Sequence, residues 1–191
     1  MDNARRILKR LDELVDCPAE ITLYGRAALH LGFPNPLPEH ARSLDVDVVL
    51  WLGQAEELAA AGNFWDALAQ LNREFDVDGL YLSHLFDEDQ VVLSPHWRDR
   101  RVAIDMPMTH LRIARLADPD LALSKLMRYD PTDLADLLFI VSAGNLSAEV
   151  MRLEMDAARI PDIPEIREQF ELCRSWLERY YAQSTATREE L

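Results

Sequence analysis

Asp45 and Asp47 stand one residue apart in Leu44-Asp45-Val46-Asp47-Val48-Val49-Leu50. In a strand this alternation projects both carboxylates from one face and Leu44, Val46, Val48 and Leu50 from the other. Same-face neighbours along a strand are about 6.5–7 Å apart at Cα, so the two acids can hold one hard cation. Carboxylate oxygens beside a substrate phosphate are the usual protein ligands of Mg²⁺. Upstream, the apolar run Ile21-Thr22-Leu23-Tyr24 stops at Gly25, which opens a helix-forming stretch. The free backbone N–H groups of a helix start favour an anion. Arg26 follows Gly25, and Arg42 lies just before the acidic strand, so both guanidinium groups are candidate phosphate contacts. Asp105 sits in the apolar run Val102-Ala103-Ile104-Asp105-Met106 with nothing nearby in sequence to neutralise it. Such an acid is costly unless it meets a partner or a metal.

The elements that must position these residues follow from periodicity and breakers. Ile7, Leu11, Leu14 and Val15 mark a helix over 3–16, which Pro18 ends. A strand is expected over 21–24, then a short helix through Ala27, Ala28, Leu29 and Leu31 that Gly32 and Pro34 stop. The loop to Ser43 carries Pro34, Pro36 and Pro38 and leads to a strand over 44–51. Residues 54–74 read as helix broken at Gly62-Asn63. Asp76-Val77-Asp78 imitates the first acidic pair, but Gly79 follows at once, and a surface turn before a strand over 80–86 is the better reading. Asp87-Glu88-Asp89 reads as a hairpin tip with Val91-Val92-Leu93 returning. A charged turn at 98–101 precedes a strand over 102–108, where Pro107 suits a sheet edge. From Thr109 the pattern reads as helical, with helices over 119–129, 131–143, 147–158 and 164–183. Asp118-Pro119 and Asp130-Pro131 look like N-caps followed by proline at the first helical position. The polar tail from Ser184 to Leu191 is expected to fray. The chain therefore divides into an α/β part, 1–117, and a helical part, 118–191.

The 191 residues are 49% hydrophobic, enough for a sizeable core. Twenty Lys and Arg against 34 Asp and Glu give a net charge of −14, which opposes non-specific attraction to nucleic acid or an anionic membrane. A helix-turn-helix built from 119–143 fits poorly, because Asp118, Asp120, Asp130, Asp133 and Asp136 stand where a phosphate-facing surface needs cations. Cys17 and Cys173 make no disulfide framework and no zinc motif. No stretch has the form of a signal peptide or a membrane span, so a cytoplasmic protein without membrane contact is expected.

A strand ending in glycine, a short helix and an Asp-x-Asp strand, in that order, resemble the nucleotide site of the minimal nucleotidyltransferases, the DNA polymerase β-like superfamily. Within it the likeness is to the nucleotidyltransferase toxins of type IV toxin–antitoxin and abortive-infection (AbiEii-like) systems. Those proteins have a small residue after the glycine where this chain has Arg26, which either replaces a phosphate contact or blocks the cradle. Their helical part carries Lys-Leu and then a helix with spaced acids, matched here by Lys125-Leu126, Asp133 and Asp136. The resemblance implies an α/β (α+β) fold with a mixed sheet, flanking helices and a C-terminal helical bundle. It implies Mg²⁺ or Mn²⁺ on Asp45, Asp47 and Asp105 as catalytic acids, and a nucleoside triphosphate contacted by Gly25, Arg26, Arg42, Lys125 and Asp136. It implies transfer of a nucleotide to a hydroxyl acceptor on RNA, protein or a small molecule, and an antitoxin protein as partner. From the residues alone, Lys125 also reads as a surface charge, Asp133 as an acid favoured by its helix start, and Arg42 as a solvated loop cation. The competing class is a nucleotidyltransferase-like fold without catalysis that binds a nucleotide or a partner protein, and Arg26 favours it.

Overall fold

Alternating aliphatic residues and a glycine stop give the two strands that matter most. The computed structural model describes residues 2–189, with the side chains at 83, 84 and 185–189 excepted. Its elements in the first part are α1 (Asn3–Leu14), β1 (Ala19–Tyr24), α2 (Gly25–Gly32), β2 (Asp45–Leu50), α3 (Gln54–Ala61), α4 (Phe64–Phe75), β3 (Tyr81–Asp87), β4 (Val102–Ala103) and β5 (Leu111–Arg115). The sheet order is β3-β2-β1-β5-β4. It is mixed, because β1 runs antiparallel to β2 and parallel to β5, β2 runs parallel to β3, and β4 runs antiparallel to β5. Ile21, Leu23, Val46 and Val48 are fully buried, together with Ile7, Leu8 and Leu11 of α1 and Ala28 and Leu29 of α2. Burying a Leu or Ile side chain stabilises by about 1.5–3 kcal/mol, so this aliphatic set fixes which face of β2 turns inward.

Three expectations are corrected in this part. The chain is not helical from Thr109, since Leu111–Arg115 is a strand beside β1, with Ala19 opposite Leu111 and Leu23 opposite Arg115. Leu111, Ile113 and Arg115 are buried while Arg112 is exposed, the period of a strand. The entry to β5 is held by Asp12 of α1, whose carboxylate accepts the backbone N–H groups of Thr109, His110 and Leu111 at 2.8, 2.7 and 2.8 Å. Burial works to raise the Asp12 pKa, but those three N–H groups and the charge of His110 outweigh it and hold the carboxyl below its ordinary value.

The strand expected over 102–108 is only Val102–Ala103, continued by one bond from Ile104 N–H to the Ile113 carbonyl at 2.9 Å. Pro107 has no N–H to extend an edge ladder. The expected hairpin is also absent: β3 ends in a single tight turn, Glu88–Gln90, and Val91-Val92-Leu93 do not return along it. Asp76–Asp78 forms the expected turn, closed by Gly79 at φ 65°.

The chain forms two compact units, one made of the residues up to Gln90 with His96–Ala117, the other of Val91–Pro95 with the chain from Asp118 onward. The second contains α5 (Asp118–Ser124), α6 (Pro131–Ala143), α7 (Ala148–Ala157) and α8 (Pro164–Glu189). Leu93 and Arg159 exchange backbone hydrogen bonds of 3.3 and 2.8 Å, and Ser94 N–H donates to Asp120 Oδ1 at 3.0 Å. The helix expected over 119–129 tightens after Ser124 into a 3-10 turn, Lys125–Met127. Asp130 caps α6 by accepting from the N–H groups of Thr132 and Asp133 at 2.9 and 3.1 Å, with Pro131 opening the helix. Leu121, Leu126, Leu137, Ile140, Met151, Phe170 and Leu177 are buried and supply the core of this unit. Of the tail expected to fray, residues 184–189 continue α8, while Glu190 and Leu191 lie outside the described residues.

Candidate active site

The antiparallel register of β1 and β2 sets Tyr24 opposite Asp47, Leu23 opposite Val48 and Thr22 opposite Val49. Leu23 and Val48 point into the core, so Tyr24, Asp45 and Asp47 share the other face, and all three are half-buried. The chain leaves β1 at Gly25 with φ 65°, a backbone region that disfavours side chains, and turns directly into α2. A Cβ built on Gly25 would overlap Asp47 Oδ2 and stand 3.1 Å from its Cγ. Glycine is therefore required twice there, once by the turn and once by the carboxylate lying against it. Ser43 Oγ donates to Asp45 Oδ1 at 2.8 Å and steadies the first acid. Gly25, Asp45 and Asp47 thus converge at the N-terminal end of α2, where a helix start favours negative charge.

Arg26 is half-buried in the first turn of α2, next to this convergence, and makes contacts of its own. Arg42 is exposed in the 3-10 turn His40–Arg42 that precedes β2. Asp105 does not join the pair. It is exposed beyond β4, and β5 and β1 separate β4 from β2. It also follows Ala103, which pairs with Ala114, so it lies toward the strand ends remote from Gly25. Three strand spacings alone amount to about 14 Å. The expected cluster of Asp45, Asp47 and Asp105 is accordingly not formed, and among the described residues no three His, Cys, Asp or Glu side chains gather to hold a metal ion.

Lys125 and Asp136 belong to the second unit. Lys125 is neither a surface charge nor an open ammonium: its Nζ lies 2.9 Å from Asp133 Oδ1 and 2.8 Å from Asp136 Oδ2. The three side chains are only 9%, 5% and 1% exposed. Arg128 Nε adds a bond of 2.8 Å to Asp133 Oδ2 from a largely exposed side chain. Asp133 and Asp136 are one helical turn apart on α6, so one face presents both to Lys125. The ammonium expected at a triphosphate is committed to this network. Nearby, burial and then the charges of Asp133 and Asp130 push the Cys173 thiol up to about 11, and its Sγ contacts the Arg128 carbonyl at 3.6 Å.

Sequence reasoning missed Ser43 as a support for Asp45, although its place two residues upstream on the same strand period could have shown it. It also missed that Tyr24 shares the acidic face, which becomes readable only once β1 and β2 are paired and Tyr24 stands opposite Asp47. Phe86 joins it there, with ring centroids 6.2 Å apart and planes at 73°.

A mixed sheet flanked by helices, in which a strand-ending glycine meets an Asp-x-Asp strand, is the arrangement that the resemblance to nucleotidyltransferases implied. The chain belongs to the family described as nucleotidyltransferase of unknown function (DUF6036), which it matches over residues 6–182. No curated protein and no solved structure gives a significant match.

Proposed function

We propose that this chain transfers a nucleoside monophosphate from a nucleoside triphosphate to a hydroxyl acceptor, with Asp45 and Asp47 holding Mg²⁺ or Mn²⁺; the acceptor oxygen bonds to the α-phosphorus, the bond to the β-phosphate breaks, and pyrophosphate and the hydroxyl proton leave. The observation that carries the reading is the contact of the Asp47 carboxylate with Gly25 at the start of α2. It supports the reading because it brings two oxygen-donor groups and a helix start to one place. The donor set suits the ion: two half-buried carboxylates on one strand face are hard ligands for a hard cation. When bound, that cation neutralises the phosphates and polarises the reacting phosphoryl group. The chain's own residues do the rest. Backbone N–H groups at the start of α2 receive phosphate oxygens, and Arg26 and Arg42 supply charged donors. Ser43 keeps Asp45 oriented through the bond already described. Lys125 and Asp136 hold the second unit together through their buried ion pair.

The setting we propose is the cytoplasm, as the toxin of a type IV toxin–antitoxin pair with a protein antitoxin. Support comes from the order of Gly25, Asp45-x-Asp47, Lys125-Leu126, Asp133 and Asp136. Among the described residues no helix is long and apolar enough to cross a membrane. Induced expression in a bacterial host tests the toxin role, which requires that growth stop with the wild type and continue with the Asp45→Asn/Asp47→Asn variant.

The position of Asp105 favours a second reading, a nucleotide-binding module without transfer, since two of the three expected carboxylates share the strand face and the third does not. The discriminating experiment incubates the protein with each labelled nucleoside triphosphate, Mg²⁺ and cell extract containing RNA and protein acceptors. Label moved by wild type and not by the double Asn variant supports transfer and reveals the acceptor class. Nucleotide bound without label moving to any acceptor supports the module.

A further inference from the structure

We propose that Tyr24 and Phe86 form the wall that receives the nucleobase, so that this aromatic pair sets which nucleotide the site prefers. The inference rests on the nucleotide reading above and adds to it the part of the substrate that the acids and the glycine cannot recognise.

Register gives the placement. Tyr24 is opposite Asp47 on β1, and Phe86 is opposite Val49 on β3, with β2 between them. Their rings nevertheless come to 6.2 Å, so both lean over β2 on the face of Asp45 and Asp47. Directly opposed residues of an antiparallel pair have Cβ atoms about 4.5–5.5 Å apart, which puts the Tyr24 ring beside the Asp47 carboxylate. The Phe86 row is one same-face step further along β2, about 7 Å. A nucleotide with its phosphates at Asp47 and Gly25 has its base one sugar away, and this ring pair is the apolar surface at that remove. The two rings pack edge to face at 73°, and both residues are half-buried rather than sealed. Stacking on a ring is tolerant of base identity but strengthens with ring area, so the site should accept all four nucleotides and favour purines.

The test compares binding of ATP, CTP and inorganic tripolyphosphate, each with Mg²⁺, to the full chain by calorimetry. Wild type is expected to bind ATP more tightly than CTP, and CTP more tightly than tripolyphosphate. Tyr24→Leu and Phe86→Leu should each weaken ATP by about tenfold and leave tripolyphosphate unchanged, as expected from the loss of base stacking. Tyr24→Phe, which keeps a ring, should restore the preference for ATP, and thermal melts of all variants check folding. Equal weakening of ATP and tripolyphosphate, or no weakening of either, would overturn the aromatic wall. It would do so without touching the nucleotide reading, whose own failure shows as wild type binding none of the three ligands.

Discussion

The two units each place two aspartates on one face, and they surround them differently. On β2 the strand period brings Asp45 and Asp47 together; on α6 the spacing of three residues does the same for Asp133 and Asp136. The strand pair is half-buried and lies against a glycine at the mouth of a helix. The helix pair is sealed, with Lys125 filling the space between its oxygens. A buried ammonium between its oxygens makes the helix pair a fastening, whereas the strand pair stays partly exposed beside a helix start, which is the setting the proposed cation requires. Residue type is the same in the two cases, and the degree of burial is what separates them.

Breaking the fastening should have the largest effect. Lys125→Met leaves two buried carboxylates facing each other and should cost about 3–5 kcal/mol in chemical denaturation. Adding Asp133→Asn and Asp136→Asn should recover most of that loss. A single Met variant as stable as wild type would erase the contrast between the pairs. The strand pair should respond in the other sense: Asp45→Asn with Asp47→Asn should weaken Mg²⁺-dependent nucleotide binding at least hundredfold, about 2.7 kcal/mol, without lowering the unfolding midpoint. A large loss of stability in that variant would make the strand pair structural as well.

Gly25→Ala sharpens the comparison by attacking the geometry and leaving the charge alone. The overlap with Asp47 and the positive φ should cost about 1–3 kcal/mol, read as a lower melting temperature together with weaker nucleotide binding. Asp12 is a third kind of carboxylate, held by three backbone N–H groups. Because its pKa is lower folded than unfolded, its contribution is complete above the ordinary value of 3.8 and fades as pH falls below it. Asp12→Asn should cost about 1–2 kcal/mol at neutral pH and flatten the acid limb of stability against pH. The smallest effect concerns the thiols: Cys173 in the intact protein should resist alkylation at pH 8 and become labelled in Lys125→Met.

The acidic strand was legible because Val46, Val48 and Leu50 keep a strict period against Asp45 and Asp47, and a half-buried strand leaves no other assignment. Gly25 was legible as a stop. The glycine's contact with Asp47 was not, since it depends on a strand pairing that spans the whole loop from Gly32 to Ser43. β5 escaped because Leu111-Arg112-Ile113-Ala114-Arg115 is short and runs into the helix formers that follow. Its decisive support, Asp12, lies 97 residues upstream of the first amide it holds. Asp105 was read as an acid within an apolar strand, but the strand stops at Ala103 and leaves it exposed, and the insertion of β5 beside β1 carried it away from β2. Lys125 was visible as a cation in a helical tract. That Asp133 and Asp136 would enclose it follows from the fold of α6 back onto the Lys125 turn, which no local pattern encodes.

Val91, Val92 and Leu93 are almost completely buried, and they belong to the second unit although the residues on both sides of them belong to the first. A ribosome therefore delivers part of the second core before α5 to α8 have been made, and those apolar residues must wait, exposed, for partners still to be synthesised. A chain severed between Ala117 and Asp118 divides that core between two fragments. Co-expressing the halves should accordingly rescue solubility where either half alone precipitates, with the earlier half contributing its valines and leucine in trans.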